Sequence, residues 1–225
     1  PTATRTATPT ATASATPIPL PTPDGTLRAL RVPILMYHYI SVPPPGADAV
    51  RQDLSVSPEH LEEQLRYLRE QGYVSITLYD LLLASQTGAP LPPKPVVLTF
   101  DDGYRDNYVH AFPLLQRYGF TATFFVIVAF IDNEYPEYLT WNHVQEMAAA
   151  GMDIQAHGYT HPDLREIDMD ALIFQVLRPK EAIEARTNKA VRFFCYPSGH
   201  YDERVIRVLR SANYWGAVTL ISGVE

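Results

Sequence analysis

Short apolar segments alternate with amphipathic helical segments through most of this 225-residue chain. The segments PVVLTF (95–100) and TATFFVIV (121–128) are apolar at nearly every position, whereas SPEHLEEQLRYLREQG (57–72) has helical spacing, with Ser57 as its N-cap. Strands that are apolar on both faces and are separated by helices predict βαβ units and a parallel sheet.

Six or seven such units suggest a barrel, although the spacing is also compatible with an open sheet. Further strands are predicted at 32–40, 73–76, 152–157, 191–197 and 215–220, and further helices at 78–85, 104–118, 140–151, 168–187 and 203–213. Pro179 should kink or break the helix at 168–187. In parallel α/β folds the active site lies at the C-terminal ends of the strands, so polar residues there are the first candidates for function.

The first 28 residues differ in composition from the rest. Residues 1–23 are Pro, Thr, Ala or Ser at every position except Arg5, Ile18 and Leu20. Such a segment cannot bury enough apolar surface to fold, and its prolines make it extended. We expect residues 1–28 to be a disordered linker before a domain at 29–225. A surface stalk, with a signal or anchor upstream, is the preferred interpretation, and a generic disordered tail is the alternative.

Charge and cysteine content exclude several classes of function. The net charge of -7 argues against nucleic acid or anionic lipid as the main partner. The sequence has no 18-residue apolar run that could span a membrane. Its single cysteine, Cys195, allows no intrachain disulfide and is predicted to be a packed core residue. We expect a monomer.

Polar residues follow three of the predicted strands. Asp101 and Asp102 follow PVVLTF, His157 ends MDIQAH and precedes His161 by four positions, and Pro197 and Ser198 follow RFFCY. Two histidines and one aspartate are a common ligand set for a catalytic metal with open positions. The second aspartate could then act as a general base.

Two other interpretations of the acidic pair stay open at this point. It could be a solvated turn before a helix, or it could hold Mg²⁺ in a phosphoryl-transfer site. The two histidines favour Zn²⁺ or a similar transition metal over Mg²⁺. The sequence contains neither a Gly-rich phosphate loop nor a Gly-x-Ser-x-Gly nucleophile elbow.

These motifs resemble those of the polysaccharide deacetylases, carbohydrate esterase family 4, over residues 31–222. The family's Thr-Phe-Asp-Asp-Gly motif matches residues 99–103, its His-(Ser/Thr)-x-x-His motif matches 157–161, and its third motif matches 192–197. The segment PILMYHYI (33–40) resembles the branch that contains deacetylases of bacterial poly-N-acetylglucosamine and other envelope polysaccharides. The resemblance implies a distorted (β/α)7 barrel and an extracellular or envelope-associated bacterial enzyme.

The resemblance also implies a role for each matching residue. Asp101 would be the general base, Arg192 would pair with it, and the N–H of Ser198 would stabilise the oxyanion. The implied ligands of a divalent metal are Asp102, His157 and His161, with zinc preferred and cobalt or nickel as alternatives. The candidate substrate-binding residues are Tyr159, Pro197, Trp215 and His38. The implied reaction hydrolyses N-acetyl groups of an N-acetylglucosamine-containing glycan and releases acetate.

Three departures from the family pattern limit the resemblance. Ser198 stands where many members have Tyr, and Gly158 stands where the second motif usually has Ser or Thr. The later Leu-x-His-like segment, which supplies a general acid, does not occur before Glu225. We therefore expect a domain that is incomplete at its C-terminal end, with the acid beyond Glu225 or, failing that, supplied by His38 or His200.

Two further functions compete with deacetylation. One is a glycan-binding pseudoenzyme without catalysis, suggested by Ser198 and by the missing segment. The other is a metal-dependent hydrolase of a different small amide or ester. The complete set of two acids, two histidines and Arg192 argues against the pseudoenzyme, because a binding module needs no base beside a metal site.

Overall fold

Seven parallel strands form a single curved sheet in the computed structural model, which describes residues 20–221. The strands are β1 (Ile34–Tyr37), β2 (Val74–Ser75), β3 (Pro95–Phe100), β4 (Thr123–Val126), β5 (Asp153–Ala156), β6 (Phe193–Cys195) and β7 (Gly216–Val218). They are ordered β1-β3-β4-β5-β6-β7, and β2 pairs with the start of β3. The sheet is curled into a half-barrel, which agrees with the expected distorted barrel.

The helices are α1 (Ala49–Asp53), α2 (Pro58–Glu70), α3 (Leu78–Thr87), α4 (Phe112–Tyr118), α5 (Val128–Asp132), α6 (Trp141–Ala149), α7 (Met169–Thr187) and α8 (Glu203–Ser211). Side-chain caps fix several of their first turns. Ser57 Oγ accepts from His60 N, and Thr140 Oγ1 accepts from His143 N, each satisfying an N–H that has no partner within its helix. Both caps agree with the sequence-based predictions.

The structure differs from the predicted elements in three places. Helices α1 and α5 are short and were not predicted. The segment predicted as helix 104–118 begins with a π-helical turn, Asn107–Ala111, and continues as α4. Pro179 does not break α7, which runs through it for 19 residues. The face of α7 that includes Leu172, Val176 and Ile183 is buried, and this packing offsets the roughly 3 kcal/mol that an internal proline costs.

Aromatic rings fill the interior of the half-barrel. Tyr37, Phe100 and Phe124 stack in a row across β1, β3 and β4, with ring centroids 5.0 and 4.8 Å apart. Phe194 on β6 is also fully buried. This packing holds the strands in fixed positions, so the residues that directly follow β3, β5 and β6 have fixed positions as well.

The start of the folded part lies earlier than residue 29. Asp24 N donates to Gln86 O at 3.0 Å, and Arg28 Nη1 donates to Ser85 O at 3.4 Å, so residues 24–28 contact α3. The rest of the predicted linker, residues 1–19, lies outside the described part of the chain. Among residues 20–221, no helix combines the length and apolar character needed to cross a membrane.

Candidate active site

Polar side chains converge at the C-terminal edge of the sheet, as the positions of the motifs predict. Asp102 follows β3, and His157 and His161 follow β5. Asp102 Oδ1 lies 3.3 Å from His157 Nε2 and 3.7 Å from His161 Nε2. All three candidate ligand atoms lie within 4.8 Å of one another. The three side chains can therefore bind one cation together.

The backbone at these positions is unusual. Asp102 has φ 72° and His161 has φ 65°, a left-handed conformation that non-glycine residues seldom adopt. Gly103 also has a positive φ, and a Cβ at this position would lie 3.1 Å from Val126 Cγ1. Strained backbone of this kind persists when surrounding structure imposes it, and it is concentrated at functional sites. Here it turns the chain so that Asp102 faces the histidines.

The hydrogen bond on the far side of the His157 ring fixes its tautomer. His157 Nδ1 lies 2.8 Å from Cys195 O, so this nitrogen carries a proton and donates it to the carbonyl. In the neutral ring, Nε2 then has only a lone pair to offer to Asp102. Two acceptors at 3.3 Å repel each other unless a proton or a cation lies between them. Burial lowers the pKa of His157, but its hydrogen bond with Asp102 and the charges of Asp101 and Asp102 outweigh burial and raise it, so a proton can lie between the two atoms. A divalent transition metal bound by this nitrogen and this carboxylate would take the place of that proton.

Burial and charge act differently on the titratable groups of the site. Burial raises the pKa of Asp101, although the charges of His157 and His38 oppose it. Burial would also raise the pKa of Asp102, but its hydrogen bond with His157 and the neighbouring histidine charges outweigh that effect and lower it. Burial and the charge of His157 lower the pKa of His161, which favours the neutral imidazole that a metal requires.

Arg192 does not pair with Asp101, which corrects the role expected from the resemblance. Its Nη1 lies 3.6 Å from Glu184 Oε1, and its guanidinium lies over the Trp215 ring at 5.1 Å. The physical reason is the direction of the strand. Arg192 precedes β6, whereas Asp101 follows the parallel β3, so the two residues lie at opposite ends of the sheet.

The expectation that Trp215 binds substrate is wrong for the same reason. Trp215 precedes β7, and its ring packs between Arg192 and Tyr79, whose ring centroid is 5.8 Å away. The Tyr159 ring packs edge-on against Phe174 of α7 at 4.9 Å, within the shell of the core. The contacts of Trp215 are therefore structural, whereas substrate binding by Tyr159 stays a prediction.

Three other sequence candidates follow β1 or β6, at the same edge of the sheet as the acids. His38 follows β1, and its charge acts on both Asp101 and Asp102. Pro197 is buried beside Gly158, where a Cβ would lie 3.6 Å from Pro197 Cγ. Ser198 is exposed with φ 53°, and its N–H makes no backbone hydrogen bond to any residue in the described range.

Two residues of the site were not identified from the sequence. Gln175 on α7 is 7% exposed; its Oε1 accepts from Tyr159 N and Thr160 N, and its Nε2 donates to Thr160 Oγ1. The sequence feature that could have identified Gln175 is its polar side chain on the otherwise apolar face of a predicted helix. Cys195, predicted only as core, is buried, and its Sγ lies 3.4 Å from Asp101 Oδ2. No sequence signal distinguishes that contact from ordinary packing.

A cleft of about 660 Å³ has tyrosines among its lining residues but none of the candidate metal ligands. Tyr39, Tyr104 and Tyr138 form a stack along it, with ring centroids 3.7 and 5.1 Å apart, and Arg51 covers the outer face of Tyr39. Burial and the charge of Asp102 both raise the pKa of Tyr104 and Tyr138, so this side of the cleft lies near Asp102. Its size suits a small ligand unit.

The chain belongs to the polysaccharide deacetylase family, because the family model described as "Polysaccharide deacetylase" matches residues 88–217. It is therefore a carbohydrate esterase of the kind that hydrolyses carbon–nitrogen bonds. This membership confirms the resemblance found in the motifs.

Individual relatives support the same assignment. YxkH of Bacillus subtilis, which carries a polysaccharide deacetylase name, is 29% identical over 198 residues, covering 88% of this chain and 67% of the relative. A poly-beta-1,6-N-acetyl-D-glucosamine N-deacetylase of Escherichia coli K12 is 36% identical over 110 residues, which are 42% of this chain and only 16% of that protein. The structure of the Streptococcus pyogenes deacetylase PplD in complex with acetate has a TM-score of 0.81 at 30% identity, covering 87% of this chain and 86% of that one.

Proposed function

We propose that this protein hydrolyses N-acetyl groups of an N-acetylated glycan and releases acetate, using a divalent metal held by Asp102, His157 and His161. One observation carries the proposal. Three ligand atoms lie within 4.8 Å of one another, and the adjacent Asp101 is buried with an oxygen that has no hydrogen-bond partner among residues 20–221. A ligand set beside an available base is an arrangement suited to hydrolysis.

The division of labour follows from this geometry. Asp102, His157 and His161 would hold the divalent metal, which would supply Lewis acidity toward the acetyl carbonyl and the attacking water. Asp101 takes a proton from the attacking water, which adds to the carbonyl carbon. The N–H of Ser198 donates to the oxyanion that forms. Asp101 keeps this proton until it is released to solvent, and a separate general acid protonates the amine nitrogen as the C–N bond breaks, so the products are acetate and a free amine. This acid is the group expected beyond Glu225 or, failing that, at His38 or His200.

The substrate that we propose is an N-acetylglucosamine-containing polymer of the bacterial cell envelope or extracellular matrix. The support comes from the relatives, since the Escherichia coli protein is named for poly-beta-1,6-N-acetyl-D-glucosamine. The tyrosine-lined cleft next to Asp102 offers aromatic surface and hydroxyl groups for neighbouring sugar units. The Pro- and Thr-rich composition of residues 1–23 is typical of chains whose domain acts outside the cell.

The test is acetate release from chito-oligosaccharides and from poly-beta-1,6-N-acetyl-D-glucosamine, measured as purified, after chelation and after zinc, cobalt or nickel is restored. We expect release that chelation abolishes and one of the metals restores. Glycan binding without acetate release would support a pseudoenzyme, and release only from aryl esters would support a different hydrolase. Activity that survives complete removal of metal would refute metal dependence.

A further inference from the structure

Asp101 is held by very few contacts for a buried carboxylate. Its side chain is 2% exposed, and its backbone N donates to Tyr37 O at 2.8 Å. Cys195 Sγ lies 3.4 Å from Oδ2, within hydrogen-bond range for sulfur, whereas Oδ1 has no partner among the residues that the structure describes. The two carboxylate oxygens are therefore not equivalent.

We propose that Cys195 is the positioning residue for Asp101: its S–H donates to Oδ2 and thereby presents Oδ1 to the reacting water. This inference rests on the proposed deacetylase function and deepens it. The last torsion of an aspartate side chain is broad, so without a partner the carboxylate would sample many orientations. Within residues 20–221 the thiol is the only side chain that hydrogen-bonds to this carboxylate.

The same residue also fixes His157, but through its backbone. Cys195 O accepts from His157 Nδ1 at 2.8 Å, and this contact does not depend on the side chain at position 195. Substitution of the thiol therefore separates the two roles. It should remove the restraint on Asp101 while leaving the orientation of His157 intact.

A thiol beside the base differs from the arginine that the resemblance implied. A guanidinium would neutralise the carboxylate with a full opposite charge, whereas a thiol is a weak, neutral donor that only orients it. Arg192 cannot supply the charge, because it lies at the other end of β6 and pairs with Glu184. Cys195 thus takes over the orienting part of that role without the ion pair.

A competing role for Cys195 is metal ligation. Asp101, His157 and Cys195 also bring their donor atoms within 4.8 Å of one another. The direction of the His157 ring favours the other ligand set, because Nε2 faces Asp102 at 3.3 Å. Metal content distinguishes the two roles, since a positioning residue can be replaced without loss of metal.

The experiment compares Cys195→Ser, which keeps a donor, with Cys195→Val and Cys195→Ala, which do not. Acetate release, bound metal and melting temperature are measured for each variant on the same chito-oligosaccharide. We expect kcat to fall about fivefold to tenfold in the Val and Ala variants, with KM and metal content unchanged, as for the loss of one weak hydrogen bond. The Ser variant should retain most of the wild-type kcat.

Melting temperature supplies the control, because the Val variant should be more stable than the Ser variant although its kcat should be lower. Val suits an apolar core and should preserve the melting temperature, whereas Ser puts a hydroxyl there and should lower it. A Val or Ala variant with wild-type kcat, or a Ser variant no faster than Val, would overturn the proposal. Loss of bound metal in the Val variant would also overturn it and make Cys195 a ligand. A wild-type protein that releases no acetate would refute the proposed function itself, and the role of Cys195 with it.

Discussion

Asp101 and Asp102 are neighbours in sequence, but the structure gives them different surroundings. Asp101 continues the extended direction of β3 into the core, where burial raises its pKa. Asp102 adopts a left-handed backbone and turns toward two imidazoles, which lower its pKa against the effect of burial. Two adjacent acids can therefore divide the work of base and ligand.

This difference predicts opposite effects of two matched substitutions. Asp101→Asn should retain bound metal but lose about 10²–10⁴-fold in kcat, because an amide cannot take the proton of water. Asp102→Asn should weaken metal binding itself, because it replaces an anionic ligand with a neutral one. Bound metal and acetate release are measured for both variants. If Asp101→Asn bound no metal and Asp102→Asn bound it fully, the roles of the two acids would be reversed.

Helix α7 contributes to the site without carrying a ligand. Gln175 on its buried face holds the loop between the two histidines through three hydrogen bonds. The loop contains Gly158, which offers no side-chain hydroxyl, so the amide on the helix supplies the polar contacts instead. Helix α7 therefore helps to set the backbone conformation of the loop between His157 and His161.

We predict that Gln175→Leu lowers metal affinity by roughly 10–100-fold, the usual effect of removing a group that orients a ligand loop. Thr160→Val is the matched control, because it removes one of the three hydrogen bonds and leaves the two backbone N–H groups bonded to Gln175. Its effect should be clearly smaller. Metal titration of the two variants measures this, and equal affinities would show that the helix does not position the loop.

Strand β5 carries Asp153, a buried carboxylate whose ionisation should make the stability of the folded state depend on pH. Burial raises the pKa of Asp153 against hydrogen bonds from Gln155 and Thr123. A raised folded-state pKa contributes stability that is fully present below the unfolded pKa and is lost as pH rises through the folded pKa.

The melting temperature of Asp153→Asn should therefore rise relative to that of the wild type as the pH increases from about 4 to about 8. The amide stays neutral throughout this range and can still accept from Gln155. Glu63→Gln, on the exposed face of α2, controls for the removal of one negative charge. If the difference in melting temperature between the wild type and Asp153→Asn did not change with pH, the prediction would be wrong.

The features that could be predicted from the sequence are those determined by short-range patterns. The caps Ser57 and Thr140, the strand at 95–100 and the convergence of Asp102, His157 and His161 all follow from short-range pattern and from the direction of parallel strands. Arg192 was misplaced because its role was taken from the resemblance, although its position at the start of the predicted strand 191–197 already puts it at the end of the sheet opposite Asp101. The roles of Gln175 and Cys195 depend on tertiary contacts across 15 and 94 positions, which no local pattern records.

For the whole molecule, the ligand set links separate parts of the half-barrel. Asp102 follows β3, whereas His157 and His161 follow β5, and β4 lies between these strands. Backbone hydrogen bonds already join each loop to the segment that follows β4, and a cation bound by all three side chains would join the two loops directly. Because the unfolded chain cannot assemble the set, binding should stabilise the folded state.

We predict that saturating metal raises the melting temperature of the wild type, by roughly 5 °C at a concentration about 100-fold above the Kd. The double variant His157→Ala, His161→Ala should bind little metal and show almost no shift. Thermal unfolding with and without chelator, with metal content measured in parallel, tests this. Stoichiometric metal in the double variant would refute the ligand assignment.

The left-handed backbone at Asp102 and His161 has a consequence for protein engineering. Grafting these three side chains onto another scaffold would not reproduce the site unless the recipient loops reverse handedness at the same two points. Directed evolution of position 102 faces the same constraint: Gly, Asn and Asp tolerate the conformation, whereas β-branched residues are strongly disfavoured. Libraries that seek a new metal preference would therefore be better aimed at position 157, where no such restriction applies.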